Sequence, residues 1–178
     1  MQVDANRLVF LDESGAKTNF TRLRGRCPVG ERLLCKTPAG HWSTTTMIAA
    51  LCLGGAIAGA VVKGPMDGDV FIAWVREALL PGLRPGQIVV MDNLPAHKRP
   101  AVRAMIESAG CELWLLPPYS PDMNPIEMMW SKVKQLIRGK EPRTFDALVQ
   151  AIFEAMDAVT AEDAIGFFGH CGHCPSLV

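Results

Sequence analysis

The chain has 178 residues, 49% of them apolar and only 20% charged, which suits one globular domain with a full hydrophobic core and excludes a disordered chain. Formal net charge is zero, so binding of nucleic acid through bulk basicity is excluded and any such surface must be local. No apolar run reaches the roughly 18 residues that span a membrane, and the first residues lack a secretory pattern, so a cytoplasmic protein is expected.

In chain order, "RLVFLDE" (7–13) is a short apolar run ending in acid and reads as a buried strand. Residues 14–43 have no clear period. They hold Lys17, Arg22, Arg24, Arg26, Arg32 and Lys36 against one acid, Glu31, which by itself reads as a solvated loop. Residues 44–62 read as two strands joined by Gly54-Gly55, since glycine supplies the positive φ angles of tight hairpins. A helix follows, with Asp69 as N-cap and Phe71, Ile72, Val75 and Leu79 at helical spacing. Asp67 and Asp69 could form a metal-binding DxD, but a turn and a helix cap explain them with less.

"QIVVMDN" (87–93) is a second apolar run ending in acid. A helix is predicted over 98–110 with Gly110 as its stop, then a strand over 111–118 halted by prolines. "LPPYSPDMNPIE" (116–127) holds four prolines and leads into a helix over 125–139 with Gly139 at its end. There Asn124 would cap, Pro125 would start, and Glu127 would complete a capping box. Ile126, Met129, Trp130, Val133, Leu136 and Ile137 form the apolar stripe. Helices over 144–160 and 161–168 close the series. A hairpin can only be antiparallel, whereas strand–helix–strand units favour parallel pairing. The expected fold class is therefore α/β: a mixed five-stranded sheet with helices on both faces.

Of six cysteines, Cys52 and Cys111 sit in apolar segments and read as core thiols. Cys171 and Cys174 form a CxxC without an obvious second ligand pair, so a tail with packed or free thiols is preferred over zinc.

Two strands end in "VFLDE" and "VVMDN". An acid closing an apolar strand would stand at the sheet's carboxyl edge, where α/β folds place ligands. If the strands are neighbours, Asp12 and Asp92 face each other, and two close carboxylates repel unless a cation lies between them. All-oxygen ligands favour magnesium or manganese. Successive strand side chains point to opposite faces, so Asp12 and Glu13 cannot both enter one site, and local pattern does not choose between them. A loop and first helical turn could bring Glu127 to the same edge. Three acids can hold two ions roughly 3.5–4 Å apart, as in phosphoryl-transfer enzymes.

The text "LVFLDESG", "VVMDNLPAHK" and "LPPYSPDMNPIE", with 34 residues between Asp92 and Glu127, resembles the catalytic domain of DDE transposases, specifically bacterial insertion-sequence enzymes akin to the mariner group. The likeness runs from about residue 7 to "HCG" at 170–172. It implies an RNase H-like fold and a single catalytic domain over 1–178 without the family's helix-turn-helix end-binding region. It implies metal-dependent cleavage of double-stranded DNA at transposon ends and transfer of the freed 3′-hydroxyl into target DNA, in a homodimer. Asp12, Asp92 and Glu127 become the catalytic residues and the ligands of two Mg2+ or Mn2+ ions, which selects Asp12 over Glu13. Asn93, His97 and Asn124 become supporting residues: Asn93 could orient a ligand, and His97 could touch substrate or stabilise its turn. Pro118 and Tyr119 match the family's loop. Lys17, Arg22, Arg24, Arg26, Lys132 and Lys134 become DNA-binding residues, with Arg138 beside them. A bacterial, nucleoid-associated location follows. The rival expectations are a catalytically idle remnant that binds DNA or pairs with a full transposase, and a general RNase H-like nuclease.

Overall fold

In the computed structural model, which describes residues 3–34, 36, 38, 44–94, 97–118 and 120–173, the first apolar run becomes strand β1 (Leu8–Ala16). It continues past the acids because Asp12 to Ala16 pair with Ala49 to Thr45 of β2 (Thr45–Cys52). β2 turns tightly into β3 (Gly55–Lys63), and Gly55 takes a φ of +117° that an L side chain would strain. β4 (Ile88–Met91) and β5 (Glu112–Leu115) complete a mixed five-stranded sheet of order β3-β2-β1-β4-β5. β1, β4 and β5 are parallel, and β1, β2 and β3 antiparallel. The sheet and its pairing are as expected.

Strand alternation builds two cores. Leu8 and Phe10 of β1, with Ile88 and Val90 of β4, pack on one face against α3 (Pro125–Lys140), α4 (Phe145–Asp157) and α5 (Ala161–His170). Val9, Leu11, Val89 and Met91 pack on the other against α1 (Gly68–Trp74) and α2 (Pro100–Ser108). From α3, Ile126, Met129, Trp130, Val133 and Ile137 are buried and Leu136 is half-buried, as the stripe predicts.

Two helix features differ from expectation. Asp67, not Asp69, caps α1, accepting from the Asp69 and Val70 amides at 2.9 Å. Asp69 has instead an ion pair with Arg99 at 2.5 Å. Gly139 lies inside α3, which runs on until Glu141 takes a φ of +48°. Cys111 is buried and Cys52 half-buried, while Cys174 lies outside the described residues. Among the described residues no helix is long and apolar enough to cross a membrane.

Candidate active site

Parity decides where the acids point. Asp12 continues the series of Leu8 and Phe10 and so belongs to the α3 face, while Glu13 continues Val9 and Leu11 toward α1 and α2. β1 and β4 pair Leu8 with Ile88 and Phe10 with Val90, and the same offset brings Asp12 level with Asp92. Neighbouring strands lie roughly 5 Å apart. Glu127 enters from the first turn of α3. Asp12, Asp92 and Glu127 thus line one pocket of about 510 Å3, with Asn93, Lys98 and Asn124 among its other polar walls. Pro117, Pro118 and Pro121 form the apolar rim that fixes the loop into α3; Tyr119 lies outside the described residues.

His97 does not line this pocket. It is fully buried, with its ring 4.5 Å from that of Phe71. Nδ1 lies 2.5 Å from Asp92 Oδ1 and Nε2 lies 3.2 Å from Glu13 Oε1. Of the two expected roles, holding the turn is the one this geometry supports. Burial works against a charge on the ring, yet the bonds to the two carboxylates and their charges outweigh it, and the His97 pKa rises to about 9. Burial likewise pushes Asp92 up, but hydrogen bonds from His97 and the Leu94 amide win and its pKa falls below the ordinary value. The Glu13–His97 link spans 84 positions in sequence, and sequence reasoning missed it. The available signal was alternation: if Asp12 faces the pocket, Glu13 must face the other core.

Asp12 behaves in the opposite way. Burial, then the charge of Glu127, with smaller pushes from Glu13 and Asp92, raises its pKa to about 7 against one backbone hydrogen bond. A carboxyl whose pKa is raised by burial and by neighbouring carboxylates marks a place that favours an added cation.

The capping box at α3 does not form. Asn124 stands at the N-cap position, but its side chain caps nothing; its Oδ1 is buried without a partner, at the pocket wall. Only backbone closes the turn, with the Glu127 amide donating to the Asn124 carbonyl at 3.2 Å. A lost side-chain cap costs about 1 kcal/mol. Since no such bond exists here, Asn124→Ala is expected to leave unfolding free energy unchanged or raised, because a buried polar oxygen without a partner costs free energy. Chemical denaturation measures this, and a loss above about 1 kcal/mol would restore the capping role.

The donor set fits a divalent cation: three carboxylates and an orphaned amide oxygen share one pocket, and burial together with the neighbouring carboxylates raises the pKa of one of them, Asp12, to about 7. Among the described residues no three His, Cys, Asp or Glu side chains close round a single point. Asp12, Asp92 and Glu127 would hold such ions with water or substrate oxygen completing the shell, an arrangement that needs no closed three-ligand cage.

The basic residues divide. Arg22 and Arg24 line a second, open groove of about 670 Å3 with Ser131, Gln135 and Arg138 of α3. Its loop is tied down by Arg143, which donates to the Phe20 carbonyl at 2.8 Å, and by Arg138 over the Phe20 ring at 4.8 Å. Lys17 and Arg26 are exposed outside this groove, and the half-buried Lys134 lines neither pocket. Lys132 already has a partner within the chain. It is ion-paired to Asp163, which also completes the capping box of α5 with Thr160. The Lys132 ammonium, with the Thr160 amide, holds Asp163 at about 2. His173, also missed, donates from Nε2 to the Met123 carbonyl at 2.9 Å, docking the C-terminal segment on the loop before Glu127.

A mixed sheet with two acids level on one face and a third on a facing helix defines an α/β fold with an acid-lined pocket. The chain belongs to the DDE superfamily endonuclease family, whose model matches residues 7–149. It is 28% identical over 91 residues to the transposable element Tc1 transposase of Caenorhabditis elegans, a match spanning 51% of this chain and 33% of that protein. Its fold is similar to the pre-cleavage Mos1 transpososome, at TM-score 0.73 and 17% identity over 95% of this chain and 54% of that one. It is also similar to the catalytic domain of Mos1 mariner transposase, at 0.64 and 18% over 95% and 79%. The Mos1 mariner paired-end complex with Mg gives 0.68 and 19% over 96% and 55%. The fold is thus the RNase H-like one of the Mos1 catalytic domain, and the chain spans about half the length of the Mos1 chains in the DNA complexes.

Proposed function

We propose that this chain is the catalytic domain of a Tc1/mariner-like transposase, in which Asp12, Asp92 and Glu127 hold two Mg2+ or Mn2+ ions for DNA cleavage and strand transfer. The observation that carries the proposal is the meeting of three acids from three separate elements in one pocket, within a chain of this family. When bound, the ions would activate water or a 3′-hydroxyl and stabilise the leaving oxygen. The chain's own residues supply the rest. With a pKa of about 7, Asp12 would give up a proton on taking a cation, so cation binding there would be coupled to pH. Asn124 offers an unused polar oxygen, and Lys98 a positive group for a phosphate at the mouth. Arg22, Arg24 and Arg138 suit phosphate contacts that fix position without reading sequence.

Double-stranded DNA at element ends and at the target, a homodimeric active complex, and a bacterial, nucleoid-associated location belong to the same proposal. Support for DNA at element ends comes from the Mos1 paired-end complex with left transposon end; the target DNA, the homodimer and the location rest on the resemblance alone.

The test is nicking of duplex DNA carrying candidate ends. Cleavage is expected with Mn2+ or Mg2+ and none with chelator. Asp92→Ala and Glu127→Gln should each lower the rate at least about a thousandfold, roughly 4 kcal/mol of barrier, without unfolding. Undiminished cleavage by both variants would sink the proposal, and preference for RNA–DNA hybrids would favour the general nuclease.

A further inference from the structure

β4 ends at Met91, so Asp92 lies one residue beyond the last ladder pair with β5. No strand partner fixes it, yet a metal ligand has to be held within about 0.5 Å. Its Oδ1 accepts from His97 Nδ1 at 2.5 Å and from the Leu94 amide at 3.0 Å. Among the described residues, no hydrogen bond reaches Oδ2. The other end of the imidazole is held by Glu13 at 3.2 Å, the ring lies against Phe71, and the side chain is fully buried. Glu13 in turn is paired in register with Ile48, inside the sheet. The path from Asp12 through Glu13 and His97 to Asp92 is therefore short and rigid, and it joins Asp12, inside β1, to Asp92, just past β4, through the face opposite the pocket.

We infer that Glu13 and His97 form a positioning clamp that fixes the rotation of the Asp92 carboxylate and leaves one oxygen, Oδ2, free to serve as a ligand in the acid pocket. A planar ring held at both nitrogens cannot turn, so the carboxylate it grips cannot turn either. Asp92 is then a one-oxygen ligand, and its distance from Asp12 is set by β1 itself. Partners of this kind behind a ligand typically change metal affinity about 10–100-fold. The clamp's role toward a metal rests on the two-ion reading above; its effect on Asp92 does not.

Two measurements separate these. In metal-free protein, His97→Ala and Glu13→Ala are expected to speed hydrogen exchange of the Leu94 amide at least about tenfold, because Asp92 Oδ1 is no longer held against it. His97→Asn, which keeps a donor near the Nδ1 position, should recover most of that protection. In Mn2+ titrations followed by water-proton relaxation, His97→Ala should weaken binding about 10–100-fold and His97→Asn markedly less. A purely structural histidine would lower the melting temperature and leave the Mn2+ affinity of the folded protein unchanged. Wild-type Leu94 exchange in Glu13→Ala and in folded His97→Ala overturns the clamp; if His97→Ala does not fold, Glu13→Ala decides. If wild type binds no Mn2+ while Leu94 exchange responds as expected, the two-ion reading falls and the clamp stands.

Discussion

Asp12→Asn is expected to make the metal-free protein more stable at pH 8 while abolishing metal-dependent cleavage. The Asp12 pKa is about 7 in the folded chain against an ordinary 3.8, so the folded state binds the proton more tightly. That contribution is fully present below about pH 4 and is lost as pH rises to about 7. Above that range wild type carries an ionised, half-buried carboxylate beside Glu127 and Asp92. Asparagine removes the charge and keeps the shape. Every tenfold difference in proton affinity between the folded and unfolded chain is worth roughly 1.4 kcal/mol, and solvent entry and relaxation remove part of it. A gain on the order of 2 kcal/mol at pH 8, with no difference at pH 4, is the expected result in urea denaturation. Equal stability at both pH values would show that the three acids do not strain one another. Greater stability with lost activity is the usual mark of a residue kept for function.

The second large effect is the response to Mn2+. Binding requires Asp12 to ionise, so apparent affinity should rise about tenfold per pH unit up to about pH 7 and then level off. At a Mn2+ concentration about 100 times the dissociation constant, the folded state gains about 2.7 kcal/mol. For a chain of this size that is a rise of roughly 5–10 °C in melting temperature at pH 8. Little change is expected at pH 5, and little at pH 8 in Asp92→Asn or after chelation. A thermal scan at both pH values measures it. An unmoved melting temperature at millimolar Mn2+ and pH 8 would favour the catalytically idle alternative.

The elements were legible because their signals are local. The apolar runs before Asp12 and Asp92, the Gly54-Gly55 turn and the stripe on α3 each declare themselves within a short segment. Where ends were misread, a neighbour in space decided. Asp69 pairs with Arg99, leaving the cap to Asp67. α3 passes through Gly139, and its last turns pack against Phe20 through Arg138. Lys132 had the right charge for a DNA surface but found Asp163, 31 positions away. The local pattern "NPIE" matched a capping box, yet Asn124 turns its amide to the pocket wall and makes no cap.

By itself the sequence determined an α/β chain with five strands in a mixed sheet, and singled out Asp12, Asp92 and Glu127 by motif and spacing. The sheet follows from periodicity and turn chemistry, and the acids from motif likeness and distance along the chain, with Asp12 chosen over Glu13 only through the family resemblance; all of this can be read without knowing which segments meet. Only the tertiary structure decided that Asp12 and Asp92 stand level on the α3 face, that Glu13 turns away, and that His97 bridges Glu13 to Asp92 in a dry interior. The physical reason is strand register. The pairing of β1 with β4, segments far apart in the chain, sets which side chains meet, and a shift of one residue would have exchanged Asp12 for Glu13 at the pocket.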